Sequence, residues 1–231
     1  MLLNNERELI VKYCKMLVTH NLTRGTGGNI SILNRELNLF AISPSGMDYF
    51  EMTAQDVPVI DLNDNKLNKI VEGKRKPSSE IDMHRLLYLS RTDISAAVHT
   101  HSPFATALSC TQEALEQGLP SVHYLAALGG ESIKCVKYAP FGSLELAELA
   151  RDGMKNNKTV LLGNHGLLAA GNNIIEAFNI AEELEFCCEI YFRAKIFGTP
   201  KLLSQEDMNF ALKKFKSYGQ PGVSLSSARL A

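Results

Sequence analysis

Apolar and polar positions along the chain switch repeatedly between a period near 3.6 and a period of two, which predicts helices interleaved with short strands. Leu9, Tyr13, Met16 and Leu17 follow helical spacing, with Asn5 and Glu8 as a capping box, over a first helix ending near Asn21. Ile30–Leu33 and Leu39–Ile42 read as a hairpin around Asn34–Asn38. Val57–Leu62, the turn Asn63-Asp64-Asn65 and Lys66–Ile70 suggest a second, and Thr53–Asp56 a short capped turn between them. A helix opens at Pro77-Ser78-Ser79-Glu80, with Ser78 or Ser79 suited to the N-cap and Ile81, Met83, Leu86 and Leu87 apolar. Ala96–Thr100 is a strand, and Ser102-Pro103 starts a helix to about Gln112. Beyond it come a strand over Ile133–Tyr138, a Ser143-capped helix to about Lys155, and strands at Thr159–Leu162 and Leu167–Ala170. An amphipathic helix over Ile175–Phe197 is stopped by Gly198 and Pro200, and a shorter one spans Ser204–Phe215. The long helix's aromatic stripe is expected in the core or at a subunit contact, and the tail from about Gly219 is expected to be flexible.

Bulk properties narrow the class. The 231 residues are 45% hydrophobic, with no linker-like stretch, so one domain is expected. A formal net charge of -1 with scattered basic residues argues against a nucleic-acid or anionic-membrane surface. Five cysteines without a C-x-x-C spacing, and a polar amino terminus, point to reduced thiols in a cytoplasmic protein.

Three histidines and three polar turns carry the candidate chemistry. Side chains two apart on a strand share a side, so His99 and His101 can converge. His165, in the turn Gly163-Asn164-His165-Gly166 at the end of a buried strand, would make a third ligand. Taken alone it reads as an ordinary turn histidine; three imidazoles with an open position suit a catalytic metal. Gly25-Thr26-Gly27-Gly28-Asn29 and Ser43-Pro44-Ser45-Gly46 lie at the two ends of the first hairpin and so come side by side, a neutral cradle for an anion. Neither is a Walker loop or a dinucleotide fingerprint. Ser78, Ser79 and Glu80 read either as a capped helix start or as a phosphate site with a carboxylate projecting beside it. His84 shares a helix face with Glu80 and reads as a packed or capping histidine. A divalent metal, a carboxylate and a phosphate cradle together suit carbon–carbon cleavage or proton abstraction beside a carbonyl.

In combination, the Gly25–Asn29, Ser43–Gly46, Ser78–Glu80, His99-x-His101 and Asn164–Gly166 motifs resemble the class II aldolase/adducin-head family, over about Glu6 to Tyr218. The resemblance implies a three-layer α/β/α domain around a central mixed, mainly antiparallel sheet. It also implies a homotetramer with sites at subunit interfaces. It makes His99, His101 and His165 ligands of one Zn2+ per subunit, or of another divalent ion. Glu80 becomes the acid/base that also binds the metal when substrate is absent. Gly28, Asn29, Ser45, Gly46, Ser78 and Ser79 become the phosphate site, and Tyr124 a residue reaching a neighbouring subunit's site. Phe141, Phe215 and Tyr218 would shape the aldehyde side. The implied reaction is reversible cleavage of L-fuculose 1-phosphate to dihydroxyacetone phosphate and L-lactaldehyde through a zinc-stabilised enediolate. Relatives acting on 5-deoxyribulose or rhamnulose 1-phosphate, pentulose-5-phosphate 4-epimerases and methylthioribulose-phosphate dehydratases share most of these motifs. The epimerases carry Asp where this chain has Glu80, and Lys214–Gly219 matches the aldolases. Thr100 and Asn164 depart mildly from the nearest pattern, and neither change removes a ligand. A non-catalytic, adducin-head-like assembly module is the reading from another class; it would be expected to have lost these ligands.

Overall fold

A computed structural model describes residues 1–64 and 70–215. Strands β1 (Asn29–Asn34), β2 (Leu39–Ile42), β3 (Val59–Asp61), β4 (Ile70–Glu72), β5 (Ala96–Thr100), β6 (Cys135–Val136), β7 (Thr159–Leu162) and β8 (Gly166–Gly171) form one sheet in the order β4-β3-β2-β1-β5-β8-β7-β6. Every neighbouring pair is antiparallel except β6 with β7. Helices α1 (Asn4–Thr19), α3 (Pro103–Ser109), α4 (Gln112–Gln117), α6 (Ile174–Phe197) and α7 (Gln205–Phe215) cover one face, and α2 (Ile81–Ser90) and α5 (Leu144–Met154) the other.

Alternation along β5 shows how two cores arise. Ala96 and Val98 pack with Ile10, Leu17 and Leu184 in the first, whereas Ala97 joins Leu87, Leu146 and Leu168 in the second. Leu184 is fully buried, worth roughly 1.5–3 kcal/mol relative to exposure. β5 lies between β1 and β8, both faces covered, so whatever its end presents is fixed by ladders on two sides. The three-layer α/β/α arrangement expected above is therefore present.

Local expectations fail where a tertiary contact outbids a cap. α1 starts two residues earlier than a box at Asn5 and Glu8 requires. Leu3, buried and left-handed, takes the N-cap position and its carbonyl accepts from Arg7 N at 2.9 Å. Neither serine caps α2 itself: Ser78 N donates to Ser43 O at 3.0 Å and Ser78 Oγ accepts from Glu80 N at 3.3 Å, leaving Glu80 at the N-cap position. The helix from Pro103 ends at Ser109, because Thr111 Oγ1 accepts from Ala114 N and starts α4 instead. The strand at Ile133–Tyr138 shrinks to Cys135–Val136. Other expectations hold: Thr53 and Asp56 form a reciprocal box, and Ser143 caps α5. The strand expected at Lys66–Ile70 lies, but for Ile70, outside the described residues, as does the tail from Gly219. Among the described residues no helix is long and apolar enough to cross a membrane.

Candidate active site

β5 delivers two imidazoles where the sequence places them. His99 stands opposite Asn29 of β1 and Leu168 of β8, on the face that Ala97 presents to α2 and α5. Its Nδ1–H donates to Leu167 O at 2.9 Å, which leaves the Nε2 lone pair aimed outward. His99 Nε2 lies 3.0 Å from His101 Nε2. His165 arrives from the turn between β7 and β8, where Asn164 at φ 53° makes the left-handed step that Asn tolerates. One ring nitrogen from each histidine lies within 4.8 Å of the others. Burial, then the neighbouring His101, pushes His99 down to about 3. Burial, then His99, pushes His165 down to about 4, and burial lowers His101 as well. Burial therefore favours the neutral, ligating form of all three imidazoles.

Glu80 completes the cluster from the start of α2. It is only 6% exposed, and its Oε2 lies 3.2 Å from His99 Nε2 and accepts from Asn29 Nδ2 at 2.8 Å. The other oxygen, Oε1, is buried without a hydrogen-bond partner, 3.5 Å from His165 Nε2. A buried carboxylate oxygen left bare costs about 1–3 kcal/mol or more, and lone pairs crowded around it repel. A divalent cation answers both, and two nitrogens on one tetrahedral ion about 2.0–2.1 Å away stand roughly 3.3 Å apart. His99, His101, His165 and Glu80 thus fit a metal, and the three imidazoles by themselves would leave a fourth position open, as at a catalytic site.

The polar turns form the wall opposite. Ser43 N donates to Ile30 O at 2.9 Å, and Ser45 N to Lys76 O at 2.9 Å, which draws both hairpin ends and the approach to α2 together. Gly28, Asn29, Ser45, Gly46, Ser78 and Ser79 consequently line one cleft of about 370 Å³ with Glu80, His101 and His165. Gly28 has to be glycine twice over: its φ is +69°, and a Cβ there would sit 2.6 Å from His99 O. Among the described residues no lysine or arginine lines the cleft, so there an anion would be held by hydroxyls, amides and backbone N–H groups.

Phe141 lines the cleft mouth and is 73% exposed, with Tyr138 beside it. Thr26, within the Gly25–Asn29 turn, also lines the cleft, and so does Tyr138, whose place at the end of an expected strand carries no local signal of a site. Tyr124 and Phe215 do not line the cleft; their rings stack on one another at 6.1 Å, and Phe215 lines a second cavity between the 3₁₀ turn at 124–129 and α7. Tyr218 lies outside the described residues. His84 is not merely packed, for its Nε2 meets Asn29 Oδ1 at 2.5 Å behind Glu80.

Residues 8–192 match the family model described as Class II Aldolase and Adducin N-terminal domain. A 5-deoxy-D-ribulose 1-phosphate aldolase of Bacillus thuringiensis serovar kurstaki is 50% identical over 220 residues, 95% of this chain and 100% of the relative. An L-fuculose phosphate aldolase of Escherichia coli K12 is 38% identical over 212 residues, 91% of this chain and 94% of the relative. A solved structure of an L-fuculose 1-phosphate aldolase superposes with a TM-score of 0.85 at 44% identity, covering 92% of this chain and 96% of that one. Sheet, cleft and comparisons agree, and this chain belongs to the class II aldolase and adducin N-terminal domain family.

Proposed function

We propose that this chain is a metal-dependent aldolase that cleaves a deoxyketose 1-phosphate into dihydroxyacetone phosphate and a short aldehyde, with 5-deoxy-D-ribulose 1-phosphate as the preferred substrate. The observation that carries the reaction is the meeting of Glu80 with three neutral imidazoles at the foot of a cleft whose other wall is a neutral polar cradle. What supports the substrate is the 50% identity, end to end, with the relative bearing that name. Breaking the bond between C3 and C4 of that sugar gives dihydroxyacetone phosphate and acetaldehyde. L-Fuculose 1-phosphate, giving L-lactaldehyde, is the second reading, favoured by the 44% identity of the solved structure.

In this reading the cradle residues Gly28, Asn29, Ser45, Gly46, Ser78 and Ser79 hold the phosphate and so set the distance from C1 to Glu80. A divalent ion, taken as zinc, one per subunit on His99, His101, His165 and resting Glu80, supplies a Lewis acid for the substrate's carbonyl. Glu80 carries the proton to and from the carbon that loses its bond. Both candidate sugars end in a methyl group, which suits the exposed Phe141 and Tyr138 at the mouth. Tyr124 stands away from its own chain's cleft, so a part for it in assisting the aldehyde oxygen needs a second copy. We assign it to the partner's cleft in a homotetramer, with Phe215 and Tyr218 closing the aldehyde side. The five free thiols accord with a cytoplasmic enzyme of one domain.

A coupled assay for dihydroxyacetone phosphate release, run on 5-deoxyribulose, fuculose, rhamnulose and ribulose 1-phosphates with and without chelator, tests this reading. The expected result is chelator-sensitive cleavage with the highest kcat/KM on the 5-deoxypentulose. Preference for fuculose 1-phosphate moves the assignment to the second reading. Cleavage of none, or cleavage indifferent to chelator, overturns it.

A further inference from the structure

Behind Glu80 the space between β1 and α2 is filled by a line of polar side chains where an apolar core would be the simpler choice. Asn29 Nδ2 donates to Glu80 Oε2 at 2.8 Å. His84 Nε2 lies 2.5 Å from Asn29 Oδ1, and His84 Nδ1 lies 2.6 Å from Ser31 Oγ. Ser31 Oγ lies 2.6 Å from Tyr88 OH, whose single proton is within reach of both Ser31 Oγ and Ser31 O, the latter at 3.0 Å. Ser31 and His84 are wholly inaccessible, Tyr88 1% and Asn29 4% exposed. The line exists because two ladders match in pitch. Glu80, His84 and Tyr88 recur every four residues, about 6 Å apart along a helix. Asn29 and Ser31 recur every two, about 6.6–6.8 Å apart along a strand. The strand's polar groups therefore fall between the helix's, and the order in space is 80, 29, 84, 31, 88.

We propose that His84, backed by Ser31 and Tyr88, is a positioning residue that fixes which way round the Asn29 amide stands and thereby holds Glu80 in its working orientation. Only one direction of donation satisfies every group. Tyr88 donates to Ser31, Ser31 Oγ–H to His84 Nδ1, His84 Nε2–H to Asn29 Oδ1, and Asn29 Nδ2–H to the carboxylate. Reversing the amide would set Oδ1 against Glu80 Oε2, acceptor against acceptor between two almost wholly buried side chains. Reversal would also need His84 protonated on Nδ1 instead. Burial, which pushes His84 down to about 3, keeps the ring neutral, so it has one N–H and one lone pair to distribute. None of these three side chains lines the cleft, so they act on the reaction through Asn29 and Glu80 alone. The inference rests on the aldolase reading for its activity readout.

His84→Gln offers an amide N–H where Nε2–H stands, whereas His84→Leu fills similar space with no donor. Each would be compared with wild type in the metal-loaded protein. Removing an outer partner of a metal-site ligand typically costs 10–100-fold in activity. We expect kcat to fall by about 10–100-fold in the Leu variant with KM moving less, and to return to within about threefold of wild type in the Gln variant. The thermal midpoint should fall in both variants, because leucine leaves Asn29 Oδ1 and Ser31 Oγ unpartnered and glutamine replaces only one of the two ring nitrogens, so kcat should recover in the Gln variant without a matching recovery of the midpoint. A purely structural role predicts that activity tracks stability. Wild-type kcat in the Leu variant, or a Gln variant no better than Leu, overturns the proposal. Should His84→Leu not fold, Ser31→Ala, a much smaller change, is expected to lower kcat severalfold, and an unchanged kcat there overturns the proposal equally. The side-chain amide signals of Asn29, assigned by their loss in Asn29→Asp, give a readout without substrate. They should exchange slowly with water in wild type and the Gln variant and faster in the Leu variant. If wild type cleaves no ketose phosphate the aldolase reading fails by itself, and identical Asn29 exchange in the Leu variant would still refute the positioning role.

Discussion

Replacing Glu80 by glutamine keeps the side chain's length and removes its charge and its capacity to take a proton. The Asn29 Nδ2 bond to Oε2, 2.8 Å long, survives, because the glutamine carbonyl accepts as the carboxylate oxygen does. It changes from a charge-assisted to a neutral hydrogen bond, a loss of about 1 kcal/mol. Against that loss stands the relief of a buried anion, one of whose oxygens has no hydrogen-bond partner and whose neighbours are neutral imidazoles. Relief of desolvation is worth about 1–3 kcal/mol or more, so the metal-free variant should be at least as stable as wild type. Activity should go the other way. A positioned general acid/base contributes about 10²–10⁴-fold, which is roughly 2.7–5.4 kcal/mol of barrier. His99, His101 and His165 remain, so metal should remain too. Three measurements on one preparation decide the matter: metal content after gel filtration, thermal midpoint, and steady-state release of dihydroxyacetone phosphate. Turnover within about threefold of wild type, with metal retained, would refute the proton-carrying role. A loss of metal in step with activity would assign Glu80 to holding the ion instead.

His99→Ala removes a ligand and the ring that bonds Leu167 O, and should leave neither bound metal after dialysis nor measurable cleavage; metal analysis beside the assay checks it. Gly28→Ala must hold a Cβ at φ +69° and 2.6 Å from His99 O, so we expect at least about 1–2 kcal/mol of lost stability from the dihedral alone, and weaker metal binding. Gly46→Ala has a similar φ, +65°, with nothing within 4 Å, and should cost only the dihedral term; denaturant titrations of both separate clash from strain. In the metal-free protein His84 and His99 are held near 3 and His165 near 4, all below the usual histidine value. The unfolded chain therefore binds more protons below about pH 6.5, and stability present above that pH is lost as pH falls towards the folded values. The loss should approach about 1.4 kcal/mol per pH unit for each group, and His84→Leu should flatten the slope by one proton; a pH-independent midpoint between about 6.5 and 4 would contradict it.

Much of the site was legible because its signals are local. The two-residue spacing of His99 and His101 is enough to put them on one side of a strand, and the hairpin from Ile30 to Ile42 is enough to bring Gly28 beside Ser45. His165 needed the register of β5 against β8, Thr100 opposite Leu167, which no local pattern states. The failures share a cause. Ser78 and the residues after Ser109 carry acceptable local rules, but the N–H or hydroxyl in question is claimed by a distant group or a competing cap, and at Asn5 the helix has already begun behind Leu3. Ser78 N goes to Ser43 O, and Thr111 Oγ1 goes to Ala114 N. The strand at Ile133–Tyr138 is cut short for the same reason, since Ile133 O accepts from Leu119 N instead of a neighbouring strand. His84 looked inert because a histidine's role depends on what faces its two nitrogens, and both partners, Asn29 and Ser31, lie more than fifty residues away.

Fold and site are specified here by one register. Along β1, Asn29 and Ser31 face α2, while Ile30 and Ile32 face the core under α1 and α6. Along β5, His99 stands with Ala97 towards α2, and Ala96 and Val98 point the other way. Because side chains alternate with a period of two, a slip of one residue in either strand would exchange the two sets. It would bury an amide, a hydroxyl or an imidazole among Ile10, Leu17 and Leu184 with no partner, and turn isoleucine or valine onto Glu80. An unpartnered buried polar group costs about 1–3 kcal/mol, and several would move together. The polar wedge that positions Glu80 therefore excludes the neighbouring register in β1 and β5 strongly, although an apolar filling of the same space would be easier to bury. The groups that serve the reaction also keep the two central strands in the only alignment that assembles it.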